Sequence, residues 1–127
     1  MSQSQLANAE LALMELLWTQ QPRTARELRE QLYRDADKAQ HGTVQRLLQR
    51  LEDKDYVARD RSQPVHLFTA TLTREAYAGS QLESLADKLT GGSLAPLLTH
   101  LIESQKISAD EIAQLRALLE ARRQEDA

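Results

Sequence analysis

The chain has 127 residues and a formal net charge of −3, is 41% hydrophobic and 28% charged, and contains no cysteine. That apolar fraction suffices for a packed core, and the lack of thiols excludes disulfide frameworks, thiolate metal centres and thiol nucleophiles. Five aromatic residues, and only seven Gly and Pro together, argue against a turn-rich all-β fold, and the acid excess argues against indiscriminate coating of nucleic acid by bulk charge.

Residues 1–9 lack a basic segment followed by an apolar run, so no signal peptide is read there. No apolar stretch approaches the roughly 20 residues of a membrane span, and the expected location is cytoplasmic, with no membrane insertion.

Leu13, Leu16 and Leu17, with Met14 and Trp18, give a first helix a wide apolar face; Asn8 is its expected N-cap, and Pro22 lies beyond its end. Thr24 and Glu27 form a capping box that opens a second, short helix carrying Ala25, Leu28 and Leu32 on one stripe. Arg34 to Lys38 reads as a polar connection. A third helix is predicted from about Gln40 to Lys54, where Val44, Leu47, Leu48 and Leu51 fall at i, i+3, i+4 and i+7. Gly42, Thr43, Arg46, Gln49 and Arg50 project away from that stripe. Between Lys38 and Leu51 there are three basic side chains and no acid, so this face is locally positive.

The period then changes. Tyr56–Arg59 and Val65–Thr69 read as two strands, joined by polar turn residues 60–64, with Arg59 and Arg61 making the hairpin tip basic. Thr73 is the expected cap of a fourth helix, with Leu72 and Tyr77 as its hydrophobic staple, and Gly91-Gly92 ends it. A fifth helix carries Leu94, Leu97, Leu98, Leu101 and Ile102. A sixth opens on the Ser108/Glu111 capping box, with Ile112, Leu115 and Leu119 on one face and Arg122-Arg123 at its negative end. Residues 1–74 hold 11 basic and 10 acidic side chains, residues 75–127 hold 5 and 9, and the boundary is placed near Thr73.

The predicted fold class is therefore mainly α with a small β-hairpin: a winged helix-turn-helix over 1–73, followed by a C-terminal helical dimerisation region over 74–127. In such a module the third helix enters the DNA major groove and the hairpin touches the duplex beside it. Arg46 and Arg50 suit guanine edges or phosphates, Gln45 and Gln49 have the amide geometry that reads adenine, Thr43 suits a phosphate or a thymine methyl, and Gly42 permits close backbone approach. Arginines at i and i+4 on an amphipathic helix are also the pattern of a plain solvated face; the hairpin that follows is what favours DNA.

Leu6 to Trp18, and Thr43-Val44-Gln45-Arg46-Leu47-Leu48-Gln49-Arg50-Leu51, resemble the opening and recognition helices of the penicillinase repressor family (BlaI/MecI/CopY). His66 to Tyr77, Gly91 to Leu94 and the Ser108–Leu119 helix are similar to the rest of that family in order and spacing, so that the resemblance spans about residues 6–122. It implies a homodimeric bacterial transcriptional repressor that binds a palindromic operator and is not an enzyme. DNA contacts are expected at Thr24, His41, Gly42, Thr43, Gln45, Arg46, Gln49, Arg50, Arg59 and Arg61. The expected dimer interface is Leu82, Leu85, Leu89, Leu94, Leu97, Leu98, Leu101, Ile102, Ile112, Leu115 and Leu119, the alternative being that these pack within the chain against the winged helix.

Three departures stand out. The copper-responsive branch of the family senses metal through a cysteine cluster, which this chain lacks. The penicillinase branch is inactivated when a membrane-sensor protease pathway cleaves an Asn-Phe bond, and the matching position here is His100-Leu101. Ala7 replaces the usual Ser or Thr cap, which moves the expected cap to Asn8. His41, His66 and His100 lack metal-ligand spacing, so no metal or cofactor is expected, and His66 is read as a packing residue. Two alternatives are a winged helix used for protein–protein assembly and a repressor relieved by a small ligand.

Overall fold

The computed structural model of the chain describes residues 5–33 and 38–126, and only the backbone of residues 38–41. The elements run α1 (Asn8–Thr19), α2 (Ala25–Leu32), α3 (Lys38–Asp53), β1 (Val57–Asp60), β2 (Leu67–Ala70), α4 (Arg74–Leu89), α5 (Ala95–Glu103) and α6 (Ala109–Glu125). This is the predicted class: helices with one small antiparallel hairpin, in winged-helix order. The chain divides into two compact units, residues 1–82 and 83–127.

In the first unit each helix turns its apolar stripe inward. Leu13, Met14 and Leu17 of α1, Leu28 of α2, and Val44, Leu48 and Leu51 of α3 are fully buried, with Tyr56 and Phe68 closing the core from the hairpin side. Each such side chain contributes roughly 1.5–3 kcal/mol by leaving water. The hairpin pairs Val57 with Ala70, Ala58 with Thr69, Arg59 with Phe68 and Asp60 with Leu67. A bridge between Arg23 and Phe68 adds a further pairing on the far side of β2: Arg23 N–H donates to the Phe68 carbonyl at 3.1 Å, and Phe68 N–H to that of Arg23 at 2.8 Å. This ties the start of α2 to the hairpin.

Thr24 caps α2 as the sequence predicts: Glu27 N–H donates to its hydroxyl and Thr24 N–H to the Glu27 carboxylate, both at 3.1 Å. Those two Thr24 groups hold the Glu27 carboxyl below its ordinary value. Thr73 caps α4 by accepting from Ala76 N–H at 3.0 Å. The first turns of α4 fasten to α1, since Leu6 N–H donates to the Tyr77 hydroxyl at 2.9 Å and Trp18 Nε1 donates to the Leu72 carbonyl at 2.9 Å.

Four local readings need correction. The N-cap of α1 is Ala7, not Asn8, because the Glu10 carboxylate reaches back to Ala7 N–H at 3.0 Å and does alone what a polar cap would share. Helix α3 begins at Lys38 rather than near Gln40. Of the connection read before it, residues 34–37 lie outside the described residues. Both strands sit one or two residues later than read, since Tyr56 turns into the core instead of opening β1, and Val65 and His66 belong to the turn. Leu94 is the cap of α5, which starts at Ala95 with Pro96 in its first turn.

The second unit is different in kind. Gly91 (φ +62°) and Gly92 (φ +93°) take left-handed backbone, and Gly92 N–H donates to the Ala86 carbonyl at 3.0 Å, the geometry that closes α4. Ser108 and Glu111 cap α6 reciprocally at 3.1 Å. Among residues 83–126, however, Ala86 alone is buried.

Candidate nucleic-acid interface

Because Val44, Leu47, Leu48 and Leu51 fill the core side of α3, the helical period forces Gln45, Arg46, Gln49 and Arg50 onto its exposed side. Thr43 and Gly42 are half-buried at the same end. Arg46 folds back along the helix, its Nη2 donating to the Thr43 hydroxyl at 3.3 Å. A Cβ added to Gly42 would lie 3.6 Å from the Arg46 guanidinium, an ordinary contact, so the chain's own packing does not demand glycine there. The His41 side chain lies outside the described residues.

The wing docks on α3 through one carboxylate. Glu52 receives Arg61 Nη2 at 2.9 Å and stands 3.4 Å from Arg59 Nη2. Arg59 Nη2 also donates to Gln49 Oε1 at 3.4 Å, while Gln49 Nε2 donates to Asp53 at 2.9 Å and Glu52 at 3.4 Å. The two wing arginines thus play different parts. Arg61 follows the strand with a side chain 57% exposed. Arg59 lies opposite Phe68 in the ladder, its guanidinium 4.8 Å from that ring, with a side chain only 13% exposed. The structure therefore places Arg61 toward the tip and seats Arg59 between wing and helix. At the turn itself, Ser62 donates to Asp60 and holds that carboxyl below its ordinary value.

Thr24, Gln45 and Arg59 come together around a groove between α2 and the hairpin, which Arg26, Arg29 and His66 also line. These last three were not among the predicted contacts. Arg26 and Arg29 carried a faint signal as consecutive basic positions just after the Thr24 cap, but nothing local announces that the Arg23–Phe68 pairing sets α2 beside the wing.

No helix is long and apolar enough to cross a membrane, and no group of His, Cys, Asp or Glu is arranged to hold a metal ion, both statements covering the described residues. In the C-terminal helices Leu82, Leu85, Leu89, Leu94, Leu98, Leu101, Ile102, Leu115 and Leu119 are exposed, between 38% and 68%, while Leu97 and Ile112 are half-buried. Leu118, absent from the predicted set, is 67% exposed. His100 and Leu101 are both exposed within α5.

Comparison with known proteins fits this geometry. The family model described as penicillinase repressor matches residues 6–121. The transcriptional regulator BlaI of Mycobacterium tuberculosis is 34% identical over 118 residues, covering 91% of this chain and 83% of that protein. The penicillinase repressor of Bacillus licheniformis is 23% identical over 116 residues, covering 91% of this chain and 90% of its own length. Among solved structures, a point mutant of Lactococcus lactis ZitR overlaps with a TM-score of 0.47 and 18% identity, over 100% of this chain and 80% of that one. With more than nine-tenths of its length matched by that model, this chain belongs to the penicillinase repressor family, a family of DNA-binding transcriptional repressors and not of enzymes.

Proposed function

We propose that the chain is a homodimeric repressor of bacterial transcription, working in the cytoplasm, whose two winged-helix units read the half-sites of a palindromic operator. The observation that carries the DNA face is the solvent-facing row Gln45, Arg46, Gln49 and Arg50 on α3, held in place by a core stripe that leaves it no other orientation. In this reading Arg46 and Arg50 read base edges, with Gln45 and Gln49 beside them, and Gly42 lies against the backbone. Thr24, Thr43 and His41 meet phosphates, and Arg61 meets the backbone beside the wing. Arg59 acts by presenting the wing, from its seat on Phe68 and Glu52.

Residues 74–127 form the dimerisation region. A unit whose leucines stay largely in water has no core of its own, and a second copy supplies the cover. Leu118 joins the predicted interface. The bond at the family's cleavage position, His100-Leu101, lies inside α5, so a membrane-sensor protease pathway acting there would first have to unwind that helix.

The test is binding to the DNA upstream of the protein's own gene, titrated with salt. Specific, salt-dependent binding is expected, with Arg46→Ala and Arg50→Ala each costing about 1–3 kcal/mol and relaxing sequence preference. Arg61→Ala should weaken binding evenly across sequences and flatten the salt dependence. Unchanged binding in all three variants would refute the assigned face.

A further inference from the structure

The groove between α2 and the hairpin has a volume of about 670 Å³. Thr24, Arg26 and Arg29 line it from one side, Arg59 and His66 from the other, and Gln45 of α3 borders it. Three guanidiniums and an imidazole therefore converge from segments some thirty to forty residues apart, brought together by the backbone pairing of Arg23 with Phe68. No carboxylate lines it among the described residues. Glu30 and Glu52 lie at its margins: Glu30 is 3.1 Å from Arg26 Nε and 3.9 Å from Arg29, and Glu52 is 3.4 Å from Arg59.

Two of these guanidiniums carry an unmet demand. Arg29 Nε and Arg59 Nε are buried and have no acceptor among the described residues. A buried donor without an acceptor is costly, and both of these arginines line the groove. A guanidinium presents paired N–H groups whose spacing matches two oxygens of a phosphate. The start of α2 adds the positive end of its helix dipole on the Thr24 side.

We propose that this groove is a phosphate site, in which Arg26, Arg29 and the Thr24 hydroxyl hold one oxyanion from the α2 side and Arg59 and His66 face it from the wing. Two carriers share this chemistry. One is a phosphodiester of the duplex backbone, which rests on the DNA-binding reading above; the other is a free phosphate or phosphorylated small molecule, which would compete with DNA.

The experiment has two arms on the full chain. In the first, inorganic phosphate is titrated at constant ionic strength into isotope-labelled protein while the Arg Nε–H and His66 signals are followed by NMR. Saturable movement confined to Arg26, Arg29, Arg59 and His66 is expected, and its loss in Arg29→Gln. In the second, the salt dependence of DNA binding is compared for the native protein, Arg26→Gln and Arg29→Gln. Each change is expected to lower the log–log salt slope by about 1, evenly across sequences. Arg26 has a side chain 77% exposed, so its variant keeps the fold even if Arg29→Gln unsettles α2.

A phosphate response with unaltered slopes supports the site with a free phosphorylated ligand as its carrier. Lowered slopes without that response support it with the DNA backbone as the carrier. Absence of both overturns it. Failure of the native protein to bind any DNA would defeat the repressor reading, and the phosphate titration alone would then decide the site.

Discussion

Glu10 is 3% exposed in the first turn of α1, yet it is charged. Its Oε1 accepts from Ala7 N–H at 3.0 Å, and Lys54 Nζ lies 3.1 and 3.0 Å from its two oxygens. Burial is the largest single influence and pushes the carboxyl up. The Ala7 N–H, Lys54 and the charge of Arg50 together outweigh it and hold the group below its ordinary value of 4.5. A carboxyl depressed by folding stabilises the native state fully above its unfolded value, and that contribution is lost as pH falls through the lower folded value. Melting temperature should therefore begin to fall below about pH 4.5, and Glu10→Gln should flatten that acid limb. The same change should cost about 1.5–3 kcal/mol at neutral pH, the worth of hydrogen bonds to a charged group. An acid limb identical in the native protein and Glu10→Gln would show that Glu10 is not the titrating group. This residue also explains the cap at Ala7: Glu10 is the fourth residue of a capping box whose first is alanine, so only half of the pattern is present in the sequence.

Helix periodicity and capping boxes were the legible part of the elements, because both are local. Val44, Leu47, Leu48 and Leu51 announce α3 and its inner face, and Thr24/Glu27 and Ser108/Glu111 mark the starts of α2 and α6. What was not legible is tertiary. Arg59 and Arg61 are two residues apart in a basic turn and look equivalent in sequence. The register that sets Arg59 against Phe68 seats one between wing and helix, whereas β1 ends at Asp60 and leaves the other at the turn, more than half exposed. Their substitutions should accordingly separate. Arg59→Ala loses a largely desolvated stacking contact and a partly buried ion pair, and should destabilise the winged helix by about 1–2 kcal/mol. Arg61→Ala breaks only an exposed pair with Glu52 and should stay within about 0.5 kcal/mol. Chemical denaturation monitored at Trp18 measures both. Equal costs for the two would mean that the wing is not docked through Arg59.

For the whole molecule, the net charge of −3 averages two unlike parts: the first 74 residues are nearly balanced and present arginines on α3 and the wing, while the acid excess follows them. The same division appears in packing, since the first unit owns a core while, among the described residues of the second, Ala86 alone is buried. Isolated helices as short as the nine-residue α5 are marginal in water, so these C-terminal helices need a covering surface to persist. If that surface is a second copy, native protein at micromolar concentration should scatter as about twice 14.4 kDa. Replacing Leu98 and Leu101, adjacent on the exposed side of α5, by Glu in one variant would bury four carboxylates in a dimer, which the assembly cannot sustain. That variant should scatter as a monomer and lose helical circular dichroism from the second unit, while its winged helix melts as before. It should also bind a full palindrome some 10²–10⁴-fold more weakly, because two linked half-sites become two independent ones. Native protein that scatters as a monomer, or a variant that stays dimeric, would place the interface elsewhere and leave the exposed leucines of α4 to α6 without a second copy to cover them.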